Sequence, residues 1–393
     1  MSNKNDFLKY QAQISKTPLL INVKKATGSY VYDYTNKRYI DLVAGVSSCT
    51  LGHSHPSVNK AIKEQLDLHT HVMVYGEFIQ QKPLELAILL AKYLPVKLNC
   101  TYLVNSGTEA IEGAIKLAKR KNRRKTVISC FNSYHGSTQG SLSAMGANHM
   151  KKNYKPLIPH HKNIRYNNFE DLSMLDKDVS SVIIEPVQGG TNFEVAQKKW
   201  LKEIRKICTK NSIELIYDEI QTGIGRTGKM FGYELSGVKP DIICLAKGLG
   251  GGMPIGAFVS SKKNMSYLSV NPSLGHITTF GGHPVCCAAA VATIRTLTSN
   301  KIIEKVESKR QLFLEHLRHL KIKKIHGVGL MIAIELENEK ACNKFVKKAL
   351  EKGVITFYFL FNKNCIRISP PLTISLNDII ESCSIIKNVL DDC

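Results

Sequence analysis

No apolar run in this 393-residue sequence reaches the roughly 18 residues that a membrane span requires, and the opening stretch MSNKNDFLKYQAQIS has no apolar signal core. Neither a membrane anchor nor a secretory route is expected, and the reading is cytoplasmic. Cysteines number 11, an odd count without framework spacing, and several sit in apolar surroundings such as DIICLAKG and PVCCAAAV. That excludes a disulfide scaffold and points to reduced core thiols. Acidic residues are scarce: 32 Asp and Glu face 54 Lys and Arg, a formal charge of +22. Such an excess could attract nucleic acid, anionic membranes or acidic metabolites. The lysines are scattered, however, and the short run KRKNRRK at 119–125 has no interleaved aromatics on which bases could stack. It reads as a solvated helix face, with no nucleic-acid partner and small acidic metabolites as the expected ligands. Internal repeats and low-complexity segments are also missing, which excludes arrays.

What is present belongs to a globular α/β chain. Its length exceeds the roughly 250 to 300 residues at which one core stops growing, so a large domain with a smaller partner is expected. Residues 29–41, SYVYDYTNKRYID, alternate around a Thr-Asn-Lys turn as a hairpin does, giving an N-terminal arm over 1–46. From about residue 80, helical and strand patterns alternate: LELAILLAKYL, TYLVN, TEAIEGAIKLAKRK, KTVISCF, SVIIEP, KKWLKEIRKICTKN, IELIYDE, DIICLAKG. That order implies a mostly parallel sheet in a large domain over 47–295. Residues 296–393, with strands GLMIAIEL and CIRIS between helices, read as a small C-terminal α+β domain.

Glu185, Asp218 and Lys247 each close a predicted strand, so in an open α/β sheet they face one crevice. A lysine among small residues and glycines can approach a bulky aldehyde cofactor, and burial lowers its pKa toward imine formation and proton transfer. A carboxylate such as Asp218 can keep a pyridine nitrogen protonated, so that the ring absorbs electrons from a substrate carbon. Tyr134, beside His135, offers a flat face for stacking. Ser106, Gly107 and Thr108 open a helix after a strand, where free amides, two hydroxyls and a glycine make a seat for a monophosphate. The segment GIGRTGKM looks like a nucleotide fingerprint at Gly223, Gly225 and Gly228, but Met230 follows Lys229 where a phosphate loop needs Ser or Thr. It reads as a glycine-rich turn. The histidines of GHSHP, HTH and HH have no cysteine or carboxylate cluster at ligand spacing, so no metal site is expected.

The sequence resembles the class III pyridoxal-phosphate aminotransferases, the acetylornithine, ornithine and 4-aminobutyrate group, from about residue 18 to 385. The motifs that carry this are YIDLVAGVSSCTLGHSHP, LVNSGTEAIEGAIKLAK, YHGSTQG, VIIEPVQGG, IYDEIQTGIGRTG, PDIICLAKGLGGGMPIGA, HITTFGGHP and IRISPPLTI, in family order. The resemblance implies the fold-type-I transferase architecture and pyridoxal 5'-phosphate bound to Lys247 as a Schiff base. It also implies Asp218 at the ring nitrogen, Gln221 at the ring hydroxyl, phosphate on Ser106, Gly107 and Thr108, and Tyr134 stacked on the ring. Thr279 would reach the cofactor of a neighbouring subunit, which implies a homodimer.

Two positions depart from those relatives. Where they carry an arginine after the HG dipeptide that grips a substrate carboxylate, Ser137 stands here. Where a glutamate after EPVQG pairs with a second arginine, Gly190 stands here. That second arginine is retained as Arg367, whose guanidinium fork suits the α-carboxylate of glutamate or 2-oxoglutarate. The expected function is amino-group transfer between an amino acid or amine and an oxoacid. Aminomutase, racemase or lyase chemistry on the same lysine and aspartate is the alternative, and a basic scaffold for polyanions is the non-enzymatic one.

Overall fold

The computed structural model describes residues 4–392; residues 1–3 and 393, at the ends of the expected arm and small domain, lie outside the described residues. Among the described residues, fifteen strands form three sheets. The first contains β1 (Val23–Thr27), β2 (Tyr30–Asp33) and β3 (Arg38–Asp41). The central sheet contains β4 (Cys100–Val104), β5 (Thr126–Cys130), β6 (His161–Ile164), β7 (Val179–Ile184), β8 (Glu214–Asp218), β9 (Ile242–Leu245) and β10 (Gly256–Ser260). The third contains β11 (Lys324–Val328), β12 (Met331–Glu335), β14 (Phe357–Tyr358) and β15 (Cys365–Ile368); β13 (Val354–Ile355) leaves that region to join the first sheet.

The central sheet has the order β4-β10-β9-β8-β7-β5-β6. Its strands β5 to β9 pair in parallel, while β10 runs antiparallel to both β9 and β4. Side chains alternate across it with the period of two that strands impose. Ile183, Ile216, Cys244 and Phe258 meet the helix Gly107–Asn122, whose Ala110, Ile111, Ala114 and Ala118 form its apolar stripe. Val182, Ile184, Leu215, Tyr217, Ile243 and Leu245 point the other way, into the main core with Trp200 and Ile204 of the helix Lys198–Asn211. The first helix lies so close to the sheet that a Cβ at Gly113 would fall 2.3 Å from the Phe258 ring.

The N-terminal hairpin forms as its alternation predicts, with Tyr30 opposite Ile40. It does not stand apart: β3 pairs in parallel with β13, Val354 opposite Ile40, so the hairpin and the C-terminal region share one sheet. The helix Pro284–Ser299 runs through position 295 and packs on the helices Pro56–Leu68 and Gln81–Tyr93. We propose the change of domain at the end of this helix, just beyond the sequence estimate. The basic run at 119–125 is partly used as a joint. Lys121 Nζ pairs with Glu214 at 2.6 Å, and Arg124 Nη1 donates to the carbonyls of Asn211 and Val179 at 2.6 and 3.1 Å.

Candidate active site

The carboxyl ends of β7, β8 and β9 open on a cavity of about 720 Å³. Its lining includes Ser106, Gly107, Thr108, Tyr134, His135, Ser137, Glu185, Gly190, Asp218, Gln221, Lys247 and Arg367. Twelve of the thirteen residues singled out from sequence thus face one space. The thirteenth, Thr279, is exposed and does not line it.

Asp218 ends β8, 4% exposed, and its Oδ2 accepts a hydrogen bond from His135 Nδ1 at 2.7 Å. Its Oδ1 accepts from the Ile220 amide at 3.1 Å. Burial disfavours the His135 imidazolium, but the hydrogen bond to Asp218, with the negative charges of Asp218 and Glu185, outweighs it and raises the pKa. His135 Nε2 is buried without a partner. Glu185 follows β7, with one oxygen on the Gly189 amide at 2.8 Å and the other on the Tyr134 amide at 3.2 Å. Burial pushes its carboxyl up to about 7, against the pull of His135. Gln221 Nε2 donates to Ser47 Oγ at 3.2 Å.

Lys247 lies two residues past β9 with φ of 39°, a left-handed conformation that costs energy in any residue but glycine. Burial is the main reason its pKa falls from 10.5 to about 8; Arg367 lowers it further, while Asp218 and Glu185 oppose the shift. The free amine is the nucleophile, and its fraction grows as pH rises through that value. Capture of an aldehyde by cofactor-free protein, followed by visible absorbance, should therefore speed up with pH and level off above about 8. A rate still climbing steeply at about pH 10 would return Lys247 to the ordinary lysine range.

Ser106 caps the helix Gly107–Asn122, its hydroxyl accepting from the Glu109 amide at 3.3 Å. The first amides of that helix have no partner within it, and Gly107 and Thr108 both line the cavity. Thr108 Oγ1 is also tied to Ser141 and Thr138 hydroxyls at 2.6 and 2.8 Å. This polar corner at the positive end of a helix dipole fits a phosphate.

Several wall residues were not foreseen. Ala44, Gly45, Val46 and Ser47 all have positive φ (50°, 60°, 59° and 67°), a left-handed turn that puts Val46 in the lining. A β-branched residue is poorly suited to this shape, at a cost of about 1–2 kcal/mol per residue. Asp41 fixes the entrance, its Oδ1 accepting from the Val43 and Ala44 amides at 2.8 and 3.0 Å. Met253, Phe357 and Leu360 complete an apolar wall. The GIGRTGKM segment folds as a turn, and its Arg226 is 1% exposed, donating to the Leu330 and Pro370 carbonyls. Outside the cavity, His326, Glu335 and Cys365 bring possible metal-ligand atoms within 4.8 Å of one another, a group that sequence spacing did not suggest. His326 Nε2 and Glu335 are hydrogen-bonded there at 2.6 Å.

A seat for a phosphate, a buried carboxylate backed by a histidine, and a lysine with a depressed pKa in one crevice are what a pyridoxal-phosphate enzyme requires. The chain matches the family model "Aminotransferase class-III" over residues 11–390 and belongs to that family. Acetylornithine aminotransferase from Caldanaerobacter subterraneus subsp. tengcongensis is 38% identical over 388 residues, 95% of each chain. The ornithine aminotransferase from Toxoplasma gondii superposes with a TM-score of 0.92 at 29% identity, over 100% of this chain and 96% of that one. A second structure of that enzyme, described with partial occupancy of pyridoxal phosphate at its active site, gives 0.90 at 30% identity, over 99% and 95% of the two chains. The protein is a pyridoxal-phosphate-dependent transaminase of the α/β fold-type-I architecture.

Proposed function

We propose that the residues facing the cavity take the roles that their chemistry suggests, and that the enzyme moves an amino group between an amino donor and an oxoacid, with glutamate and 2-oxoglutarate as one pair. The observation that carries the assignment is the buried Asp218–His135 pair at 2.7 Å in the same cavity as Lys247. When bound, pyridoxal phosphate supplies an aldehyde carbon for amino groups and a ring that withdraws electrons from the substrate α-carbon. Ser106, Gly107 and Thr108 would hold its phosphate, Tyr134 would stack on its ring and Gln221 would meet the ring hydroxyl. Asp218 sets a negative charge at the ring nitrogen, and His135, hydrogen-bonded to it, fixes that carboxylate's orientation. Glu185 holds the Tyr134 and Gly189 backbone in place through its two amide contacts. Lys247 Nζ would hold the cofactor through its aldehyde and, as a free amine, would take the proton from the substrate α-carbon.

Arg367 holds the α-carboxylate. Its Nε is buried without a partner, which a bound carboxylate would supply. Arg367→Lys replaces a planar fork by a point charge, so KM for glutamate and for 2-oxoglutarate should rise about tenfold or more, the loss of one charge-assisted hydrogen bond. Steady-state kinetics with each substrate varied check this; an unchanged KM removes Arg367 from the role.

Two copies are proposed to assemble, with Thr279 of each completing the other's site. Support comes from the exposed Ile277 and Phe280, close to Thr279 in sequence, and from the exposed Tyr75, Phe78 and Ile79, which line a hollow together with Thr278 and Gly281. A cytoplasmic location is proposed from the ten described cysteines, all free thiols. No described helix is long and apolar enough to cross a membrane. The reading is tested by mixing holoenzyme with glutamate alone: the visible cofactor band should bleach, and addition of 2-oxoglutarate should restore it.

A further inference from the structure

Arg367 is a buried cation without an anion. It is 6% exposed, and Nη2 donates to the Gly189 carbonyl at 2.6 Å. The guanidinium carbon lies 4.8 Å from the centre of the Phe359 ring and 5.4 Å from that of Phe193. These contacts orient the group and leave its charge unneutralised. No ion pair joins it to a carboxylate among the described residues, and the oxygens of Glu185 are taken by two backbone amides. Burial lowers its pKa to about 10, with the charge of Glu185 opposing the shift.

The neighbouring place from which the chain could supply an acid is closed. A Cβ at Gly190 would lie 2.6 Å from the Phe361 ring, and Phe361 is pinned there by its amide, which donates to the Gly190 carbonyl at 2.9 Å. No carboxylate can swing in from this position, so Arg367 is open whichever substrate enters. Apart from Glu185, whose oxygens are on two backbone amides, the lining that Arg367 and the cofactor residues leave over carries no charged side chain among this chain's described residues. Tyr134 and Ser137 hydroxyls are bonded to each other at 3.0 Å, and Val46, Met253, Phe357 and Leu360 are apolar.

We infer that this transaminase anchors an α-carboxylate on Arg367 in both half-reactions, and that its second amino donor is an α-amino acid with an uncharged, mainly apolar side chain. This rests on the transaminase reading above. An amine reacting at the far end of a chain would leave Arg367 bare, and a side-chain ammonium would find in this chain's lining only hydroxyls, hydrocarbon and a Glu185 carboxylate already held by two amides. The chemistry balances without another reactant. The donor loses its α-proton and its C–N bond, water supplies the oxygen of the resulting 2-oxoacid, and the acceptor oxoacid is reduced to its amino acid in the reverse sequence.

The test uses holoenzyme in single half-reactions without acceptor, following the cofactor band. Leucine, methionine and phenylalanine are compared with N-acetylornithine and 4-aminobutyrate, with glutamate as reference. At least one neutral α-amino acid should react tenfold or more faster than either ω-amine, and Arg367→Lys should slow that reaction tenfold or more. Faster reaction of an ω-amine overturns the inference. So does bleaching by glutamate alone, which leaves the transaminase reading intact. A band that no donor bleaches overturns both.

Discussion

Lys247→Ala should reduce turnover by at least about three powers of ten, because the proposed assignment asks one side chain both to hold the cofactor and to carry the proton; positioned proton transfer alone contributes about 10² to 10⁴. The substitution removes the amine from a pocket where burial has lowered its pKa to about 8, and no other described lysine lines that cavity. Lys247 also occupies a left-handed backbone conformation that alanine bears no more easily. The fold should therefore be retained at unchanged or slightly lower stability. Absorbance gives a second readout: the visible band of lysine-bound cofactor should vanish, and the cofactor should be removable by dialysis. A variant that keeps the band and turns over within tenfold of the parent would move the attachment point to another residue.

For Asp218→Ala the expected loss in kcat is at least about a hundredfold. Removing one partner of a buried charge pair costs about 3–5 kcal/mol, and each 1.4 kcal/mol is a factor of ten. Here the substitution strands His135, whose one side-chain hydrogen-bond partner among the described residues is Asp218, and, on the proposed assignment, the ring nitrogen of the cofactor. Asp218→Asn separates the two contributions. An asparagine oxygen can still accept the His135 hydrogen bond, but it brings no charge. Comparable losses for both variants would assign the effect to the charge; near-normal turnover in Asp218→Asn would reduce Asp218 to a positioning residue.

The parts of this site that were legible in sequence are those governed by local rules. Strands β7, β8 and β9 announce themselves by apolar runs, and each ends on, or is followed within two residues by, Glu185, Asp218 or Lys247, the position where open sheets place ligands. Ser106 was legible for the same reason, since a cap and a helix start are neighbours in the chain. What escaped is non-local or contrary to propensity. Strand β10 runs against its neighbours, which no feature of GAFVS declares. The contact of Phe361 with Gly190 joins distant segments, and the glycine alone said only that a side chain was missing. Val46 reads as an ordinary strand or core residue, yet the hydrogen bonds around Asp41 hold it in a left-handed turn.

The pairing of β3 with β13 has a consequence for how the enzyme comes into being on the ribosome. The backbone that carries Val46 is held from its far side by late-made chain: Leu42 donates to the Ile355 carbonyl at 3.0 Å, Ser369 to that of Leu42 at 2.7 Å, and Leu372 to that of Thr50 at 2.8 Å. A nascent chain can assemble much of the central sheet while still attached, since those contacts lie within the stretch already synthesised. The substrate-facing wall has to wait, because Val46, Phe357, Leu360 and Arg367 come together only when the last segment has emerged. A prematurely ended chain would thus retain the phosphate seat, Asp218 and Lys247 but lack the side that selects what reacts there, and the final stretch of translation decides specificity after the cofactor pocket is built.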